Sequence, residues 1–186
     1  RAYYLYKLKD NLKEKLEEED LYDLFNDVEM KLLVVLSNME TNGIKLDLDY
    51  FEKFNNELEE KLKKIKKKIY EISDEKFNIN SPQQLSEVLF EKMGIKPVKK
   101  TKTGFSTNAK VMETLQKRGY EIADYILSYR KYKKIKSTYV EALPTHIGKD
   151  GRIHTDFNQN GTSTGRLSSS NPNLQNIPTE TEKGME

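Results

Sequence analysis

Phe51, Phe54, Leu58, Leu62, Ile65, Ile69 and Ile72 step by three or four positions, the period of a helix that buries one face. With Asp47 as a plausible N-cap, the series predicts one amphipathic helix of about seven turns. Its other face carries Lys61, Lys63, Lys64, Lys66, Lys67 and Lys68. A second long series, Ile122, Ile126, Tyr129, Tyr132, Ile135, Tyr139 and Leu143, predicts a partner of similar length terminated by Pro144. The expected fold is mainly α: two long antiparallel helices with short capped helices at one end, followed by a short β and loop segment.

The shorter elements have local signals of their own. Leu5, Leu8, Leu12 and Leu16 mark a helix that ends in the acidic run Glu17 to Asp20 and has little to pack against. Leu24, Val28, Leu32, Leu36 and Met39 predict another, closed by Asn42-Gly43, with its apolar face in a core. Ser81-Pro82-Gln83-Gln84 combines a capping Ser, a Pro at the first helical position and a Gln three residues on. A short helix should run from there to about Met93 and stop at Gly94. Lys96 to Ser106, rich in Lys, Thr, Pro and Gly, reads as a mobile loop before a helix capped by Ser106 or Thr107. Beyond Pro144, Lys149-Asp150-Gly151 signals a turn and Arg152 to Phe157 alternates like a strand. No internal repeat is present. The division read from these patterns is 1 to about 20, 21 to about 145, and 146 to 186.

The net charge of +2 conceals a segregation. Residues 1–60 hold 8 basic and 16 acidic side chains, net −8; residues 61–154 hold 22 and 10, net +12; the remainder hold 2 and 4, net −2. A cationic middle suits a polyanion such as nucleic acid or an anionic membrane surface, and equally a set of solvated Lys-rich helix faces. The absence of cysteine excludes a disulfide framework, a thiolate zinc site and a Cys nucleophile. His146 and His154 have no partner at metal-ligand spacing, so no zinc site is assigned. No apolar run approaches a membrane span, and RAYYLYKLKD lacks a signal peptide's apolar core. With no initiator Met and an end at TEKGME, the sequence is expected to be a piece of a longer protein.

The tract Asn158 to Pro178 has the composition of a flexible linker, being dense in Asn, Ser, Thr, Gly and Gln. Leu167, Leu174 and Ile177 could instead anchor it, with Pro172 and Pro178 fixing its turns. Arg166 is the only basic residue between Arg152 and Lys183, set among amide and hydroxyl groups suited to phosphate, sugar or base edges. Asn173, Gln175 and Asn176 supply donors for minor-groove acceptors common to all base pairs.

The run TGRLSSSNPNLQNIP, preceded by Gly151-Arg152-Ile153-His154-Thr155 and Phe157-Asn158-Gln159, closely resembles the opening palm motif of the bacterial DNA polymerase I type, or family A, DNA polymerases. The resemblance extends through Lys136-Ser137-Thr138-Tyr139, through Phe77-Asn78-Ile79-Asn80-Ser81-Pro82-Gln83-Gln84-Leu85, and from Val28-Glu29-Met30 to Asn42-Gly43-Ile44. It implies the end of a 3′→5′ exonuclease domain to about residue 20, a helical thumb at 21–145, and the truncated start of the palm at 146–186. It also implies that the thumb grips primer-template duplex along the minor groove. By motif match, Asn80 and Ser81 contact backbone phosphate; Lys136, Ser137 and Thr138 form a second contact; Arg166 reads the minor groove at the primer terminus; and Asn173, Gln175 and Asn176 touch the growing duplex. Thr179-Glu180 departs from the family, which often has a basic residue there.

Each assignment has a plainer counterpart. Asn80-Ser81 could be only a helix cap, Ser137 and Thr138 ordinary surface residues, and Arg166 the partner of a palm carboxylate. The Lys61 to Lys68 run reads more readily as a solvated face, and the tyrosines as core. Asp47 and Asp49 sit at a helix start rather than forming a catalytic pair. The resemblance places the carboxylates for two Mg²⁺ ions downstream, so no catalytic residue is expected in the chain and the chain alone should be inactive. The implied parent is a monomeric DNA-directed DNA polymerase of a bacterial, nucleoid-associated cytoplasm, using dNTP, without membrane attachment. The competing class is a helical module that binds a protein partner or an anionic membrane; a third reading is a polymerase homologue that has lost its downstream carboxylates.

Overall fold

The computed structural model describes residues 2–101 and 104–177. In chain order these form helix α1 (Ala2–Glu18), a π-helical turn (Leu24–Glu29) leading into α2 (Met30–Asn42), and strand β1 (Ile44–Lys45). Then come α3 (Leu48–Ser73) and α4 (Pro82–Ser86), the latter extended by a π-helical turn (Glu87–Lys92). Strands β2 (Lys100–Thr101) and β3 (Gly104–Phe105) precede α5 (Ala109–Lys117) and α6 (Glu121–Ile135), which continues as a π-helical turn (Lys136–Val140). A 3₁₀ turn (Leu143–His146) is followed by β4 (Arg152–Ile153), β5 (Asp156–Asn158) and β6 (Ser168–Ser170).

The chain divides into two compact units, one being Asp47–Thr145 and the other joining residues up to Leu46 with those from His146 onward.

In the first unit α3 and α6 are the two long helices. Lys136 meets Asn55 and Glu59 at one end, and Lys61 lies over the Tyr132 ring in between. Rising numbers on one helix therefore meet falling numbers on the other, which makes the pair antiparallel. Asp47 caps α3 by accepting from the Tyr50 amide at 3.0 Å. The core is built by Ile69 of α3, Leu85 and Leu89 of the α4 segment, Met112 and Leu115 of α5, and Ile122 and Ile126 of α6, all fully buried. Tyr129 and Tyr139 are buried too, as their place on the apolar stripe anticipates.

Three expectations change here. The cap of α5 is Asn108, whose Oδ1 accepts from the Val111 amide, because Ser106 and Thr107 lie two and one residues too early. The Lys96 to Ser106 stretch contains the β2–β3 pair, with Lys100 opposite Phe105. Pro144 does not end the long helix: α6 loses its α-helical bonding at Lys136, and Pro144 sits inside the 3₁₀ turn that follows.

In the other unit, β1 pairs antiparallel with β4, and β5 with β6. The strand-like run Arg152 to Phe157 is thus two strands that pair with different partners. Of the apolar series on the helix before Gly43, only Leu36 is buried; Leu24, Val28 and Met39 are about half exposed. The expected core face is not formed among the described residues. Pro178, Thr179 and Glu180 lie outside the described residues.

Candidate nucleic-acid interface

Asn80 and Ser81 open α4. Ser81 Oγ accepts from the Gln84 amide at 3.4 Å, while Gln84 Oε1 reaches past it to accept from Asn78 N–H at 2.8 Å. The cap read from the sequence is formed, with its return bond made three residues further back than in a capping box. Asn80 is exposed, and its Nδ2 donates to the Tyr129 hydroxyl at 3.4 Å. Pro82 lacks an amide hydrogen and the Gln84 amide is taken by Ser81, so the Gln83 amide is the outward donor of this helix start. Ser81, Pro82 and Gln83 border a groove of about 820 Å³, together with Ser86, Thr107, Asn108 and Arg130. Sequence reading passed over Arg130, whose guanidinium donates to the Thr107 carbonyl and hydroxyl. Burial pulls Arg130 below the ordinary arginine value.

The second group is built around a buried lysine. Lys136 is buried, and its Nζ lies 2.6 Å from Glu141 Oε1, 3.1 Å from Glu59 Oε1 and 2.8 Å from Asn55 Oδ1. Burial opposes the charge, but the hydrogen bonds to Glu141 and Glu59 outweigh it and hold the ammonium above the usual lysine value. Ser137 and Thr138 are exposed, and Ser137 Oγ bonds back to the Lys133 carbonyl at 2.9 Å. The Glu141 amide bonds to the Lys136 carbonyl, an i to i+5 link that widens the helix at this point.

The Lys-rich face of α3 is neutralised in part. Lys63 pairs with Glu60 at 3.8 Å, and Lys67 and Lys68 pair with Glu71 at 3.7 and 2.8 Å, all with well-exposed lysines. This is the solvated arrangement that the sequence favoured.

In the other unit the Ser/Asn-rich tract is pinned rather than loose. Ser168–Ser170 pairs with Asp156–Asn158. Buried Thr155 donates to the Ser170 and Pro172 carbonyls, at 2.9 and 2.7 Å. Buried Ser169 accepts from the Leu174 amide at 3.0 Å and donates to Asn173 Oδ1 at 3.4 Å. Asn173 Oδ1 also accepts from the Gln175 amide. Arg166, Asn173, Gln175 and Asn176 are all exposed on this support.

Two glutamates that sequence reading left without a role hold the same segment. Glu40 Oε1 accepts from the Phe157 amide at 2.6 Å, and Glu29 Oε2 accepts from Gln159 Nε2 at 2.6 Å. His154 joins this support: Nδ1 faces the Glu40 carbonyl at 2.7 Å and Nε2 faces Asp150 Oδ2 at 3.0 Å. The Glu40 carbonyl first, then Asp150, raises the imidazole above its ordinary value, and the Asp150 carboxyl is held correspondingly low. Apart from Asp150, these partners are more than a hundred residues apart, and the shared membership of Glu29, His154 and Gln159 in the matched motif was the one available hint.

The family described as DNA polymerase family A matches residues 48–186. Over 185 residues the chain is 48% identical to DNA polymerase I of Bacillus subtilis (strain 168), which covers 99% of this chain and 21% of that protein. It is 44% identical over 189 residues to the thermostable DNA polymerase I of Thermus thermophilus, covering 100% of this chain and 23% of that one. Among solved structures it resembles the POL domain of Pol1 from M. smegmatis in complex with DNA primer-template and dNTP. That likeness has a TM-score of 0.83 and 37% identity over 99% of this chain and 32% of that one. The chain thus spans about a fifth of the length of these curated relatives.

Proposed function

The chain belongs to DNA polymerase family A, and on that premise we propose that it forms the thumb and the opening of the palm of a template-directed DNA polymerase, where it grips primer-template duplex. The observation that carries the reading is the pinned tract: side chains with a linker's composition are fixed by buried Thr155 and Ser169 so that Arg166, Asn173, Gln175 and Asn176 face outward. Donors held in this way suit the acceptors that every correct base pair presents in the minor groove. Exposed Asn80 and the Gln83 amide beside Ser81 suit a backbone phosphate. Ser137 and Thr138 supply a second contact, with Lys136 anchoring them through Glu59 and Glu141 until a phosphate competes for its ammonium.

The two-Mg²⁺ chemistry and the dNTP site belong, in this reading, to other parts of a monomeric bacterial polymerase acting in replication or repair in the cytoplasm. Among the described residues no three His, Cys, Asp or Glu side chains group to hold a metal ion. No described helix is long and apolar enough to cross a membrane.

The half-exposed Leu24, Val28 and Met39 favour a second reading, a module that docks on a protein or membrane. Vesicle binding combined with indifference to duplex DNA supports that alternative. The direct test is Arg166→Ala in the full-length protein: extension of a primer should fall by at least about tenfold while duplex affinity changes little. Unchanged extension kinetics remove Arg166 from the primer terminus.

A further inference from the structure

We infer that Glu29 is a positioning residue that fixes the loop carrying Arg166 through Gln159; the inference rests on the reading of Arg166 as a duplex contact. Gln159 is the first residue after β5, and residues 159–167 return the chain to β6 with Arg166 near the far end. Both hydrogens of the Gln159 amide are committed, one to Glu29 Oε2 at 2.6 Å and one to the Glu29 carbonyl at 3.0 Å. Two acceptors on one residue define the amide's orientation as well as its place, and the charged acceptor makes one of the bonds strong. Glu29 and Gln159 are both partly buried, and no Lys or Arg among the described residues pairs with Glu29, so its charge is directed at this amide.

The loop's other side-chain hydrogen bonds among the described residues stay local. Asn160 N–H donates to Asn158 Oδ1, Thr162 Oγ1 donates to the Arg166 carbonyl at 2.8 Å, and Thr164 Oγ1 donates to Thr162 Oγ1. These bonds shape the loop without tying it to a helix. Gln159 makes that tie, at the turn leading into α2. Arg166 itself is exposed, so its aim depends on how well the loop base is held.

Two measurements test this. In the chain itself, Glu29→Ala should speed amide hydrogen exchange across residues 160–167 about tenfold, while Glu29→Gln, which keeps an acceptor, should recover at least half of the change. In the full-length protein, Glu29→Ala should lower kcat/KM for nucleotide addition about tenfold, the factor for losing one hydrogen bond to a charged group. In an Arg166→Ala background the same substitution should change it less than about twofold, because residues that act through one another are not additive.

If Arg166→Ala impairs extension while Glu29→Ala leaves exchange and extension at parental levels, the inference is overturned and the reading of Arg166 stands. An equal loss from Glu29→Ala in both backgrounds also overturns it, since the glutamate then supports the fold without acting through Arg166. If Arg166→Ala leaves extension unaltered, the duplex reading fails, and exchange still decides whether Glu29 holds the loop.

Discussion

Lys136 and Glu141 form a 2.6 Å ion pair in which the lysine is buried and the glutamate half exposed. The lysine's charge is satisfied from both sides of a helix junction, since Glu59 and Asn55 come from α3 and Glu141 from the end of the π turn. Removing it leaves Glu59 and Glu141 without their shared counter-ion. Lys136→Ala should therefore destabilise the 47–145 unit by about 2 kcal/mol, and Lys136→Met by less, because Met refills the volume of the stem. Urea unfolding with an unchanged m-value measures both, and equal stability of all three proteins contradicts the pairing.

A pH dependence follows from His154 and Asp150. The raised imidazole contributes stability that is complete below its unfolded value, about 6.5, and is lost as pH rises through its higher folded value. The lowered Asp150 carboxyl contributes above about 3.9 and is lost as pH falls through its depressed folded value. The clasp is therefore complete between about pH 4 and 6.5 and weakens on either side. NMR titration of the His154 ring should give a midpoint above 6.5 that moves down in Asp150→Asn; an unmoved midpoint contradicts the contact.

Gly43 has φ +60° and ψ −178°, a region open in practice to glycine alone, and a Cβ there would lie 2.8 Å from both His154 Cε1 and the Ile153 carbonyl. Gly43→Ala should cost about 2 kcal/mol or more, seen as a lower Tm, by combining backbone strain with a clash. A parental Tm contradicts this account of the junction between α2 and β4.

Ser81 separates capping from duplex contact. Asp is as good an N-cap as Ser, so Ser81→Asp should keep the stability of the parent, whereas Ser81→Ala should lose about 1 kcal/mol. The aspartate repels phosphate, so duplex affinity should fall for Ser81→Asp despite the intact fold. Parental affinity for that variant leaves Ser81 with capping alone.

What the sequence disclosed depended on how far apart the deciding residues are. The caps Asp47 and Ser81 bond to amides three residues away, so spacing and residue type were enough. The α5 start carries Ser106, Thr107 and Asn108 in a row, all good caps, and only backbone conformation selects Asn108. Pro144 reads as a helix end, but the α-helical bonding fails earlier, at Lys136, the residue that also meets Asn55 and Glu59. Those contacts, about eighty residues away, also bury a lysine that local sequence could only place on a surface. The tract from Asn158 has a linker's composition, and its order comes from Thr155, Glu29 and Glu40, which composition does not weigh. Candidate contact residues were therefore legible through their motif, and the supports that aim them were not.

The proposed grip on duplex DNA runs through phosphates and minor-groove edges. Fluorescence anisotropy of a labelled primer-template duplex, titrated with the chain at about 50 and 200 mM salt, tests it most directly. Binding is expected at low salt and should weaken with a log-log slope near −0.9 for each phosphate neutralised, so a slope of about −2 or steeper. No binding at low salt, or binding indifferent to salt, contradicts it.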